Sequence, residues 1–160
     1  MGLELLPGYG SAKEARALFS EYTQQLVAGE PSFQKYLDIQ HYGDELEHLE
    51  KKYGMPEGRL YIALWDGKPA GCIGPRKLDG HRCEMKRLYV RPAFREKRIG
   101  SALVRRIVAD AREIGYAHML LDTLPCLERA IAMYRAMGFY EIPSYNDSPV
   151  ASTVYMKLDL

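Results

Sequence analysis

No stretch of the chain approaches the ~18 consecutive apolar residues that a membrane span requires. The N-terminus also lacks a basic region followed by an apolar run, so neither a membrane anchor nor a secretory signal is expected. Cysteine is sparse. Cys72, Cys83 and Cys126 show no metal-ligand spacing, and an odd number of thiols suits a reduced, cytoplasmic protein better than a disulfide framework. No metal site is expected. Charge of either sign is scarcely in excess: the net charge is +1, so bulk electrostatics offers no drive toward nucleic acid. Internal repeats, low-complexity tracts and linkers are absent as well. What remains is 160 residues, 47% of them hydrophobic, which is enough for one domain over 1–160 with its own core.

The basic residues are unevenly placed. Eight of the 22 Lys and Arg, but only one of the 21 Asp and Glu, fall between Lys86 and Arg106. This stretch reads as a strand from Glu84 to Val90, a proline-broken turn, a basic loop from Arg95 to Arg98, and a helix opening at Gly100-Ser101. A loop ending in a helix start presents unpaired backbone N–H groups and the positive end of the helix dipole. Such a terminus is an anion site, with pyrophosphate a common occupant. One basic locus on an otherwise acidic chain points to a bound polyanion.

The rest of the pattern supplies an alternation of strands and helices. Leu3 to Leu6 reads as a strand ended by Pro7-Gly8. Ser11 and Glu14 form a capping box before a helix over 12–28, whose apolar face is Ala15, Leu18, Phe19, Tyr22 and Leu26. Residues 31–41 read as irregular, and a second helix is expected over 43–53, with an acidic face that reads as solvated. Leu60 to Trp65, Pro69 to Leu78 and Arg82 to Val90 make an antiparallel meander, turned at Asp66-Gly67 and Asp79-Gly80. A helical stripe from Ile99 to Ile114 stops at Gly115. A short buried strand follows at Met119 to Thr123, then a helix from about 126 to 137. The last two strands are Phe139 to Tyr145 and Thr153 to Leu158. The order predicts a three-layer α/β/α fold with a central mixed, mostly antiparallel sheet.

Two motifs carry a resemblance. Arg95-x-x-Arg98-x-Gly100 resembles the acetyl-CoA signature of the GNAT superfamily of N-acetyltransferases, with Arg98 where that signature has glycine. Downstream, Ala130-x-x-x-Tyr134-x-x-x-Gly138-Phe139 resembles a second GNAT motif, in the family's order. The resemblance covers the chain from about residue 59 to the end clearly, and the region before it more weakly. It implies the GNAT fold and an acetyl-CoA-dependent N-acetyltransferase, with acetyl-CoA as co-substrate. It also implies cofactor contacts from Leu88, Tyr89, Val90, Arg95, Glu96, Lys97, Arg98, Ile99, Gly100, Ser101, Thr123, Ala130 and Arg135. Tyr134 takes the general-acid role by the same resemblance.

Acetyl transfer to an amine also calls for a base, because an alkyl ammonium has a pKa of ~10.4 and only the neutral amine attacks. Glu84 is the candidate. It lies four residues before Leu88, so unbroken strand alternation sets both side chains on one face. It also reads as a partner for Arg82 or Lys86. His41, His81 and His118 are alternative bases, and Cys126 reads as structural. The expected acceptor is a primary amine of a small molecule such as an amino acid or polyamine, attacked directly. A non-catalytic acyl-CoA-binding domain, a protein or peptide acetyltransferase and a basic nucleic-acid module are the other readings. Neither membrane nor nucleic-acid partners are expected, and a homodimer is possible.

Overall fold

The computed structural model describes residues 2–160. Seven strands form one sheet: β1 (Leu3–Pro7), β2 (Tyr61–Trp65), β3 (Lys68–Lys77), β4 (Arg82–Val90), β5 (His118–Thr123), β6 (Tyr140–Ile142) and β7 (Val154–Asp159). Their spatial order is β1-β2-β3-β4-β5-β7-β6. Every neighbouring pair is antiparallel except β4 and β5. The parallel pair needs a crossover, and helix α5 (Ile99–Ile114) supplies it. The remaining helices are α1 (Ala12–Gly29), α2 (Phe33–Ile39), α3 (Tyr42–Glu47), α4 (Leu49–Tyr53) and α6 (Glu128–Ala136).

The sheet is covered on both faces. Ile99, Leu103, Ile107 and Ala111 of α5 pack with Cys83, Met85, Met119 and Leu121 on one side. Ala15, Leu18 and Phe19 of α1 pack with Tyr53, Ile62, Cys72 and Tyr89 on the other. The stripe of α5 thus meets the sheet as its 3.6-residue spacing requires. Gly115, at φ 109, ends α5 in the left-handed conformation that suits glycine after a helix.

Three local expectations are corrected. Ser11 makes no side-chain cap; it closes a 3₁₀ turn over Gly8–Ser11 that runs into α1. Residues 33–39 form a helix rather than an irregular segment, because Phe33, Tyr36 and Leu37 bury one face against Leu26, Leu124 and Val150. Tertiary burial overrides weak propensity here. The helix expected over 43–53 is broken at His48, whose backbone leaves the helical region and separates α3 from α4.

Candidate active site

The site begins where two strands part. The parallel ladder of β4 and β5 runs through Arg82–His118, Cys83–Met119 and Glu84–Leu120. Beyond those pairs the strands diverge, and their backbone groups lose each other as partners. The cause lies in β4. Arg87 takes φ 60, and the β3–β4 register shifts between Cys72 and Gly74. A bulge inserts one residue and reverses the alternation that follows. Met85 packs on the α5 side, and so does Leu88, three residues on. Arg87 and Tyr89 both face the α1 side, with Arg87 reaching Glu45 and Tyr89 packing beside Leu18 and Phe19.

That reversal corrects the placement of Glu84. Glu84 and Leu88 lie on opposite faces of the sheet, because the bulge falls between them. Glu84 is only 2% exposed. Its carboxylate takes Arg76 Nε at 2.8 Å and the Tyr145 hydroxyl at 2.6 Å, with Lys86 Nζ at 3.8 Å. Burial pushes its pKa up, but Lys86, Arg76 and the Tyr145 hydrogen bond outweigh burial and hold it below the usual carboxylate range. A carboxylate so held is a weak base and lines neither the groove nor the cavity described next.

On one side of the splay lies an open groove of about 850 Å³. The N-terminus of α5 forms its floor. The first backbone bond of α5 runs from Ala102 N to Arg98 O at 3.1 Å, so the amides of Ile99, Gly100 and Ser101 have no intrahelical acceptor. Packing does not require glycine at 100: a Cβ there would meet Val90 and Met133 at ordinary distances of 3.8–4.0 Å. Its bareness instead keeps the groove wide at the helix start, which suits a phosphate approaching the backbone. Leu88, Tyr89, Val90, Arg95, Glu96, Arg98, Ile99, Gly100, Ser101 and Ala130 all line this groove, as does Tyr134.

Lys97, Arg135 and Thr123 do not. Lys97 extends its ammonium over the Trp65 ring, 5.0 Å from the centroid. Arg135 follows Tyr134 by one helical step of about 100°, and pairs with Glu141 at 3.5 Å on the outer face of α6. Thr123 lines the neighbouring cavity instead. The basic locus is also smaller than its sequence suggests. Arg91 is tied to Glu21 at 2.6 Å, Arg87 to Glu45 at 2.9 Å and Arg106 to Asp110 at 3.6 Å. The exposed cations at the helix start are Arg95, Lys97 and Arg98.

Arg98 explains why glycine is expected at its position. It is the N-cap residue of α5 and takes φ 59, ψ 26, the left-handed region. A residue with a Cβ pays roughly 1–2 kcal/mol there. Arg98→Gly is therefore expected to leave stability unchanged or raise it by up to about 1 kcal/mol, since added chain entropy offsets part of the relief. Thermal melting checks this, and a loss beyond about 1 kcal/mol would show that the side chain holds the loop.

On the other side of the splay is a closed-in cavity of about 30 Å³. Lys86, Gln40, Tyr36, Asp122 and Thr123 bring its polar groups. Asp122 Oδ2 accepts from the Tyr36 hydroxyl and from Asn146 Nδ2. Burial and then the Asp122 charge raise the Tyr36 phenol, which stays protonated as a donor. Tyr22, Leu26, Leu88, Leu127 and Tyr134 line both the groove and the cavity, so the two meet there, with Tyr134 and Leu88 among the shared side chains. Tyr134 is 5% exposed, and burial pushes its phenol well above the usual value.

Sequence reasoning missed Asp122, Gln40 and Tyr36. Asp122 left a signal, as the one acid closing an otherwise apolar strand. Gln40 and Tyr36 left none, because their role depends on α2 docking beside the splay.

The chain matches the profile of the Acetyltransferase (GNAT) family over residues 16–139. An uncharacterized N-acetyltransferase of Schizosaccharomyces pombe is 36% identical over 147 residues, covering 91% of this chain and 86% of that protein. An acetyltransferase structure from Streptococcus agalactiae superposes with a TM-score of 0.78 at 23% identity, covering 100% of this chain and 99% of that one. The PaiA N-acetyltransferase of Thermoplasma acidophilum, solved in complex with coenzyme A, gives a TM-score of 0.69 at 17% identity over the full length of both chains. The seven-stranded sheet, the splay with its groove, and a family match over most of the chain agree: the protein belongs to the GNAT family and is an acetyl-CoA-dependent acetyltransferase.

Proposed function

We propose that residues 1–160 act as one acetyltransferase domain that moves an acetyl group from acetyl-CoA to the primary amine of a small molecule by direct attack. The observation that carries this reading is the meeting of groove and cavity at Tyr134 and Leu88. The groove suits the cofactor, with its diphosphate against the amides of residues 99–101 and the cations Arg95 and Arg98. Acetyl-CoA supplies an activated acyl group with a thiolate as leaving group. The cavity suits the acceptor. At about 30 Å³ it admits the polar head of an acceptor, whose remainder lies in the open groove.

Asp122 takes the place of Glu84 as the group that receives the amine's proton, directly or through water. It lines the cavity and keeps Oδ1 clear of the two donors that hold Oδ2. The neutral amine nitrogen forms its bond to the acetyl carbon, the carbon–sulfur bond breaks, and the nitrogen sheds its second proton, which restores the Tyr134 phenol after that phenol has protonated the sulfur. Tyr134 gives its proton to the departing sulfur. Its buried phenol is fully protonated at neutral pH, as a donor in that position must be.

CoA is expected to bind with micromolar affinity, and the affinity is expected to weaken as salt rises, because two exposed arginines face its phosphates. Calorimetry with CoA and with dephospho-CoA checks both points. No heat at millimolar CoA would remove the reading.

A further inference from the structure

The cavity carries charge and unsatisfied polar atoms that acetyl transfer alone does not call for. Gln40, just beyond α2, presents Oε1 to two cations: Lys86 Nζ at 3.0 Å and Arg87 Nη2 at 2.8 Å. Two donors on one oxygen fix the orientation of the amide. Its Nε2 is then buried without a partner, and Gln40 lines the cavity. Lys86 also lines the cavity and is 7% exposed. Glu84 is its one carboxylate neighbour within salt-bridge reach among the described residues, and Arg76 holds that carboxylate more closely, 2.8 Å against 3.8 Å. Two cations therefore share one anion. Burial brings the Lys86 ammonium down to about 8 even with Glu84 beside it.

The facing strand shows the opposite character. Thr123 is 7% exposed, and its hydroxyl is buried with no hydrogen-bond partner. Asp122 stands next to it with one oxygen committed to Tyr36 and Asn146. A buried polar atom left unpaired destabilises the fold, so each of these atoms calls for a ligand group or water. One wall of the cavity offers N–H donors and a buried positive charge. The other offers oxygen acceptors.

We propose that the acceptor is an amine bearing its own carboxylate, an amino acid, whose carboxylate fills the cavity of about 30 Å³ against Lys86 Nζ and Gln40 Nε2, with the amine toward Asp122 and Thr123 and the remainder in the groove that the cavity joins. This rests on the acetyltransferase reading above and narrows its acceptor. A polyamine would set a second cation against buried Lys86, whose carboxylate neighbour Glu84 is already shared with Arg76. An amino acid amide would leave Lys86 only the anion it already shares with Arg76.

The test uses the purified chain, acetyl-CoA and free-thiol detection. The panel is the twenty amino acids, the amides and decarboxylated amines matching those that react, and putrescine and spermidine. At least one amino acid is expected to show kcat/KM about 100-fold or more above its amide and its decarboxylated amine. Lys86→Met is expected to collapse that ratio through KM, and Lys86→Arg to keep most of it. If Lys86→Met does not fold, the acid-to-amide ratio of the unaltered protein decides alone. Equal or better use of amides or polyamines would overturn the carboxylate assignment while leaving acetyl transfer standing. Thiol release with no amine in the panel would sink both.

Discussion

Tyr134→Phe is expected to lower kcat by about 10²–10⁴-fold, the range a positioned proton donor contributes. The loss should fall on kcat rather than on acetyl-CoA affinity, because the hydroxyl is needed as charge develops on sulfur. Phe keeps the ring, which packs 5.7 Å from the Phe139 ring and lies at the junction of groove and cavity. The melting temperature should therefore change little. Steady-state kinetics with the reactive acceptor, alongside thermal melting, separates the roles. A near-unaltered kcat would mark Tyr134 as a core residue and leave solvent to protonate the sulfur.

The second large effect is on stability. Glu45→Ala is expected to cost about 3–5 kcal/mol, because it strands a buried guanidinium. Glu45 and Arg87 are 6% and 5% exposed. The carboxylate takes Arg87 Nε and Nη2, both at 2.9 Å, as well as Lys52 Nζ at 2.7 Å and the Tyr53 hydroxyl at 3.0 Å. Burial raises the Glu45 pKa, yet Arg87 and Lys52 outweigh it and hold it at about 2. A carboxyl depressed on folding stabilises the protein above its unfolded value of ~4.3. That contribution fades as pH falls from there toward about 2. Denaturant unfolding at neutral pH and near pH 3 tests the sign: the gap between wild type and Glu45→Ala should narrow in acid. A gap that widens in acid would contradict the assignment. The pair also matters to the site, since Glu45 anchors the left-handed residue that makes the β4 bulge.

The sheet and the crossover helix α5 were legible because their signals are local. The Asp66-Gly67 turn, the Ile99-to-Ile114 stripe and the Gly115 stop each act within a few residues. The helix start at Gly100 was legible for the same reason, and with it the groove that Arg95, Arg98 and Ser101 line. What failed depended on distance. Alternation along β4 assigned Glu84 to the face of Leu88, and one residue at positive φ reversed it. No sequence pattern announces that bulge, because Arg87 holds it through Glu45, far off in α3. The basic run looked continuous in sequence, while partners on α1, α3 and α5 neutralise Arg91, Arg87 and Arg106. The acceptor cavity was invisible for the same reason: α2, β4 and β5 contribute to it, and α2 read as irregular.

The most direct measurement of the central claim incubates the protein with acetyl-CoA, with and without an amino acid. It follows free thiol, the mass of the small molecule and the mass of the protein together. Direct transfer predicts thiol release only when the acceptor is present, one acetylated acceptor per thiol, and a protein of unaltered mass. An acetylated protein accumulating without acceptor, on Cys126 in the groove for instance, would contradict direct attack. Tight CoA binding with no acetylated product from any amine would contradict the enzymatic account itself.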